Sequence, residues 1–288
     1  MDIPLLDLRA QYAGMKDEID GAVGEVLSQA AFIGGPRVKA IEDAIAEYCG
    51  VSHGVACGNG TDALFLILAS LGIGKGDEVI TTPFTFVASA ESIVHVGATP
   101  VFVDIEPGTY NMDVGLLEAA VTERTKAIMP VHIFGQCVDM DPVREAAGRH
   151  GLAVIEDACQ AIGAKYRGAR AGALGDAAAF SFFPSKNLGC AGDGGMIVTD
   201  DAELAAKAKK TASHGTSKKY FHDAMGVNSR LDSLQAAILL EKLPRLDDWN
   251  AARRAAARYP SLSLKSPTAL SIGRSPKARQ VTAIRCMA

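Results

Sequence analysis

The sequence has no CxxC pair, only one tryptophan among 6% aromatic residues, and no acidic residue beyond Asp248. Each of these absences excludes something. The six cysteines (Cys49, Cys57, Cys137, Cys159, Cys190 and Cys286) share no metal-ligand spacing with the six histidines, so neither a zinc site nor a disulfide framework is indicated. Reduced thiols point to the cytoplasm. The longest uncharged apolar stretch, residues 63–74, is too short to cross about 30 Å of hydrocarbon. The opening MDIPLLDLRAQY carries an acid at position 2 and lacks the apolar run of a signal peptide. A cytoplasmic protein without a membrane anchor is expected.

The missing C-terminal acids make the charge uneven. The net charge is −4 over 288 residues, yet the first 248 carry 21 basic against 33 acidic side chains. The remainder holds eight positive charges, Arg253, Arg254, Arg258, Lys265, Arg274, Lys277, Arg279 and Arg285. An acidic body argues against nucleic-acid binding, which needs a basic face. The basic end has no interleaved aromatics and no binding fold, so no nucleic-acid partner is expected there either.

With 48% apolar residues the chain can bury a sizeable core. From residue 50 onward, short β-branched runs alternate with helical patterns, which predicts an α/β fold with a mainly parallel seven-stranded sheet. Strands are expected at 55–57, 78–81, 100–103, 127–131, 153–156, 178–182 and 195–198. Helices should open near Thr61, Phe86, Asp113, Asp139 and Asp201, where Asp113 and Asp201 are good N-caps. Gly72-Ile-Gly74-Lys-Gly76 reads as a helix stop. Met15, Ile19, Val23, Val26 and Leu27 recur at helical spacing, predicting one amphipathic helix over 12–30. Leu234, Ala237, Ile238 and Leu243 predict another over 231–246. From Tyr259 no periodicity remains.

Three segments carry chemistry. Gly58-Asn-Gly60-Thr-Asp-Ala63 lies between a strand and an apolar helix, where glycine lets backbone N–H groups approach an anion. Read as a loose GxGxxA fingerprint, it would bind a dinucleotide with Asp77 or Glu78 as the ribose acid; a bare strand-to-helix turn is the alternative. Ile155-Glu-Asp157-Ala-Cys-Gln160 places a carboxylate past the end of a buried strand, where ligands of open α/β sheets gather. A helix cap would use the same residue. Lys186, among aromatics, glycines and small hydroxyls in SFFPSKNLGCAGDGG, is a candidate nucleophile or a surface lysine. His95, His132 and Gln136 lie near strand ends and are candidates for lining a pocket. Cys159 reads as a small core residue.

Taken together, these segments resemble the DegT/DnrJ/EryC1/StrS family of sugar aminotransferases, pyridoxal-phosphate enzymes of fold type I. The resemblance runs from Ile3-Pro-Leu-Leu-Asp-Leu through GNGTDAL, TTPFTFVASAE, VDIEPGTYNMD, VHIFGQCVDMD, EDACQAIGA and SFFPSKNLGCAGDGG to GVNSRLDSLQAAILLEKL at 226–243. The wording is closest to members that aminate a UDP-linked 3-oxo-2-acetamido uronic acid. The resemblance implies pyridoxal 5′-phosphate as cofactor, held by Lys186 as a Schiff base. It makes Asp157 the acid facing the pyridine nitrogen, Gln160 the residue beneath the ring and Phe86 the residue stacked on it. Gly60, Thr61 and Ser181 would cradle the phosphate. Asn228 would come from the second subunit of a homodimer with a shared active site, and Arg230 beside it would meet substrate carboxylate or diphosphate.

Family dehydratases carry histidine where this chain has Lys186, which favours transamination. A ping-pong exchange is implied, from an amino acid such as L-glutamate to the keto carbon of a nucleotide-linked sugar, in polysaccharide (O-antigen) or antibiotic pathways. The implied organisation is a pyridoxal-phosphate-binding large domain with an N-terminal helix over 1–248. Residues 249–288 would be a remnant or aberrant, poorly ordered tail, with the family's small C-terminal domain largely missing through truncation or frameshift. The competing reading is a truncated, catalytically incompetent cofactor-binding or structural homologue.

Overall fold

In the computed structural model, which describes residues 6–218 and 220–263, seven short strands form one sheet. They are β1 (His53–Cys57), β2 (Glu78–Thr81), β3 (Thr99–Phe102), β4 (Thr125–Ile128), β5 (Ala153–Asp157), β8 (Ala177–Ser181) and β9 (Gly195–Thr199). Two small ribbons lie outside it, β6 (Lys165–Tyr166) with β7 (Ala169–Arg170), and β10 (Thr216–Lys218) with β11 (Phe221–His222). The helices are α1 (Leu8–Ala13), α2 (Lys16–Gln29), α3 (Pro36–Cys49), α4 (Gly60–Ser70), α5 (Ala88–His95), α6 (Leu117–Ala120), α7 (Met140–His150), α8 (Ala202–Thr211), α9 (Ser233–Lys242) and α10 (Leu246–Ser263).

The strand order is β1-β9-β8-β5-β4-β2-β3. Only β9 runs against its neighbours; β8, β5, β4, β2 and β3 pair in parallel. Each expected strand is present. β4 ends at Ile128 rather than 131 because Pro130 has no N–H to give the ladder; pairing resumes in a lone bridge between Val131 and Asp157.

Period-two alternation decides what each strand buries. Cys57, Ile155, Ala177, Ala179 and Ile197 pack against α4 and α8 through Leu64, Ile67, Leu204 and Ala208. The intervening Ala56, Ala178, Phe180, Met196 and Val198 meet Ile41 and Ile45 of α3 and Ala236 and Leu239 of α9. Adjacent residues of one strand, Glu156 and Asp157 among them, therefore serve different layers. Phe180 is fully buried among the second set. Phe180→Ala should cost about 3–5 kcal/mol of unfolding free energy, seen as a lower denaturation midpoint with little change in m-value.

The N-terminal helix expected over 12–30 is two helices. Gly14 interrupts the pattern, and Met15, 2% exposed, turns into the core beside Ile19 and Ile238. Leu27 stays exposed. The helix expected over 231–246 ends at Lys242, where Pro244 leaves a 3-10 turn, Leu243–Arg245. The segment opening at Asp113 gives a 3-10 turn and the four-residue α6.

α10 crosses the expected domain boundary at 248 and continues to Ser263; residues 264–288 of the expected tail lie outside the described residues. Its first turn is tied to the body by Asp247. That carboxylate accepts both arms of the Arg170 guanidinium at 3.1 and 3.0 Å and the hydroxyl of Tyr48. These donors, Arg170 foremost, lower its pKa to about 2. A depressed carboxylate stabilises the fold above its unfolded value of about 3.9 and loses that contribution as pH falls through the folded value. Between pH 4 and 2, therefore, Asp247→Asn should flatten the fall of melting temperature. The difference should stay small, since half-exposed pairs contribute under about 1 kcal/mol.

Candidate active site

The carboxyl ends of β1, β4, β5 and β8 meet at one edge of the sheet and border a cavity of about 680 Å³. Cys57 and Ser181 are both register partners of Gly195, so the turn after β1 is carried beside the end of β8. Gly195 is required there, because a Cβ on it would lie 2.3 Å from the Asn59 carbonyl oxygen. The turn then opens α4. Asn59 caps it by accepting the Asp62 N–H at 2.8 Å, and the N–H groups of Gly60 and Thr61, at the first positions, have no acceptor within the helix. A helix N-terminus with free N–H groups favours an anion. Gly60 is also packed from behind: a Cβ would meet Cys159 Sγ and the Ser181 Cβ at 2.8 Å.

Asp157 ends β5 and is 6% exposed. Its Oδ2 accepts the Ser89 hydroxyl at 2.6 Å and its Oδ1 the Cys159 N–H at 3.2 Å. Since the single Ser89 proton is given to Asp157, the Thr85 hydroxyl, 2.7 Å away, donates to Ser89. The result is a directed chain from Thr85 through Ser89 to the carboxylate. The Cys159 thiol, pushed well above its usual pKa by burial and then by the neighbouring Asp157, stays neutral and is no nucleophile.

Glu156, one residue earlier, faces the opposite layer and is fully buried. It accepts the N–H groups of Gly172, Leu174 and Gly175 at 2.7–2.9 Å and faces His132 Nε2 at 2.9 Å. Because Val138 N–H donates to His132 Nδ1, the ring proton sits on Nε2 and is given to Glu156. Both groups are thus satisfied in structure, and His132, as expected, also lines the cavity. His95 packs against the Phe65 ring, 4.8 Å between centroids, and Gln136 presents its carbonyl to Asn111, so neither is a pocket residue.

Gly60, Thr61, Phe86, Asp157, Gln160, Ser181 and Lys186 all line the cavity, with Thr85, Asn59, Ser185 and Asp193 beside them. Gln160 accepts the Phe134 N–H through Oε1, which leaves its NH2 as the free donor. Asn228 and Arg230 are not brought in. Both are exposed; Asn228 bridges to Ser213, and Arg230 borders a separate 180 Å³ cavity with Lys39, Glu42 and Lys209. Between them Ser229 faces inward: its hydroxyl accepts the Gly58 N–H and donates to Asp62, fastening this loop to the turn before α4.

The dinucleotide reading of that turn fails on position. Asp77 accepts the Gly74 N–H, and Glu78 is paired with Arg124 and Thr122, at the start of β2 rather than at the cavity. Ser89 and Thr85 carry no sequence signal for their role, since they lie 68 and 72 residues from Asp157 and join it only through the fold. Among the described residues no cluster suits a metal ion, and no helix is long and apolar enough to cross a membrane.

A seven-stranded α/β sheet with one reversed strand, an anion-binding helix terminus, a buried carboxylate and a loop lysine around one cavity define a fold-type-I aminotransferase large domain. The chain belongs to the DegT/DnrJ/EryC1/StrS aminotransferase family, whose model matches residues 14–287. It is 55% identical over 263 residues to the pleiotropic regulatory protein of Geobacillus stearothermophilus, covering 91% of this chain and 71% of that one. It is 51% identical to the UDP-2-acetamido-2-deoxy-3-oxo-D-glucuronate aminotransferase of Pseudomonas aeruginosa, over 91% of this chain and 73% of the relative. The crystal structure of S. venezuelae DesV in complex with a ketimine intermediate superposes with a TM-score of 0.88 at 48% identity, over 90% and 70% of the two chains. Pyridoxal 5′-phosphate is the family's cofactor. The cavity fits it: a helix terminus for its phosphate, a carboxylate for its ring nitrogen and an amine for its aldehyde.

Proposed function

We propose that this chain moves an amino group from L-glutamate to the keto carbon of a nucleotide-linked sugar, a UDP-2-acetamido-2-deoxy-3-oxo uronic acid. The observation that carries the reading is the convergence of Lys186, Asp157 and the α4 N-terminus on one cavity. The likeness to the P. aeruginosa enzyme supports the choice of sugar.

When bound, pyridoxal phosphate supplies an electron-withdrawing ring that takes up the electron pair left as the amine-bearing carbon loses its proton. The protein does the rest. Gly60 and Thr61 N–H groups and the Ser181 hydroxyl would hold the phosphate and so orient the cofactor toward Lys186. Asp157, held by Ser89 and Cys159 N–H, keeps a proton on the ring nitrogen. Phe86 and Gln160, both lining the cavity, would flank the ring. Lys186 Nζ would hold the cofactor at its aldehyde and, as the one amine lining the cavity among the described residues, would move the proton taken from the amine-bearing carbon.

Asn228 and Arg230 are exposed and do not line their own cavity, which supports a homodimer in which they complete the partner's site. Two inactive variants, Lys186→Ala and Asn228→Ala, should then regain activity when their subunits are mixed. Hybrids without activity would remove the shared site. The function itself is tested by supplying the loaded protein with 15N-glutamate and UDP-2-acetamido-2-deoxy-3-oxo-glucuronate. The expected product is the 15N-labelled 3-amino sugar; cofactor bound without label transfer would instead mark a catalytically incompetent homologue.

A further inference from the structure

We infer that Lys242 and Asn250, outside the cavity, are positioning residues that set the geometry of Lys186. The inference rests on the reading of Lys186 as the cofactor-holding lysine.

Lys186 sits in the connection 182–194 between β8 and β9, which has no regular structure of its own. Proton transfer requires its Nζ to be placed within a fraction of an ångström, which an unsupported loop does not provide. Inside the loop, Lys186 N–H donates to the Phe183 carbonyl and Cys190 N–H to that of Phe182, both at 2.8 Å. The chain folds back tightly at Gly189, where a Cβ would lie 2.5 Å from the Pro184 carbonyl oxygen.

The other restraints come from α9 and α10. Lys242 Nζ donates to the Gly189 carbonyl at 2.7 Å. Asn250 Oδ1 accepts the Asn187 side-chain N–H at 2.6 Å, while its own Nδ2 donates to the Ile162 carbonyl at 3.1 Å. Gln235 accepts the Ala191 N–H at 2.8 Å. Asn250 therefore links the residue after Lys186 to the turn that follows Gln160, so the two walls of the cavity share one side chain.

Lys242 is 7% exposed and Asn250 5%. Lys242 is the more telling. Gly189 O is the single acceptor for its amine among the described residues, and burial lowers its pKa. An isolated buried cation is a poor way to stabilise a fold, since a methionine of similar volume avoids the desolvation cost. What a methionine does not replace is the bond to the turn three residues past Lys186.

The experiment compares the full-length parent with Lys242→Met and Asn250→Ala. Without cofactor, hydrogen exchange across 183–190 should speed up about tenfold in each variant. With pyridoxal phosphate, the visible circular dichroism of the lysine-bound cofactor should weaken. The kcat should fall about 10- to 100-fold, with KM for glutamate changing far less. Melting of Lys242→Met should hold or rise, which separates positioning from general stabilisation. Parent-like exchange and kcat in both variants would overturn the inference, as would activity loss that merely tracks melting temperature. A Lys186→Ala protein that kept the visible band would instead overturn the underlying reading of Lys186.

Discussion

Lys186→Ala is expected to lose the visible absorbance band that pyridoxal phosphate gives with the parent, and to lower turnover by more than about 10⁴-fold. General acid–base transfer alone contributes about 10²–10⁴-fold, and under the proposed function this side chain would also provide the amine for the cofactor aldehyde. Among the described residues that line the cavity it is the single one with an amine, so no neighbour there inherits either role. The fold should survive: Lys186 is half-buried and only its backbone takes part in the loop's hydrogen bonds. Titration with the cofactor and single-turnover kinetics check both parts. A variant retaining the band would show that a different amine is used.

Asp157→Asn should retain cofactor yet fall on the order of 10²–10³-fold in kcat, the usual cost of removing one preorganised electrostatic partner of a developing charge. The amide keeps the shape, and its oxygen can still accept the Ser89 hydroxyl. It carries no charge to favour a protonated ring nitrogen, so the deficit should lie in the proton-abstraction step rather than in binding. Rapid-mixing measurement of the glutamate half-reaction, with an α-deuterated donor, separates the two. An unchanged half-reaction would remove Asp157 from the chemistry. Ser89→Ala should reproduce a fraction of the effect, because the carboxylate loses the donor at its Oδ2.

Much of this was legible in the sequence because short β-branched runs and Asp caps are local signals. β2, expected at 78–81, is observed there to the residue. α3 has no counterpart among the expected helices, although Pro36 at its start, Gly50 at φ 82° beyond its end and the spacing of Val38, Ile41, Ile45 and Cys49 are all written in the chain. The break at Gly14–Met15 was hidden for a different reason. Apolar spacing continues through it, and only burial of Met15 against Ile238 of α9 decides where the helix restarts. In the site, Asp157 and Lys186 stand in contiguous motifs. Ser89, Thr85, Lys242 and Asn250 act across 53 to 72 residues of chain, where neither spacing nor composition leaves a mark.

The reversal of β9 has a mechanical consequence. In an all-parallel sheet every connection must travel to the opposite edge and return through a crossover. Because β9 runs back beside β8, the segment carrying Lys186 leaves and rejoins the sheet on the same edge. Its flanking residues, Ser181 and Gly195, are opposite members of one rung, a chord of about 5 Å. The lysine is therefore mounted on a closed bow whose base is a hydrogen-bonded ladder. Its reach depends on the length of the bow together with the bonds that Lys242 and Asn250 make to it, so adding or removing a residue there would move Nζ while leaving the two strands at its base in place.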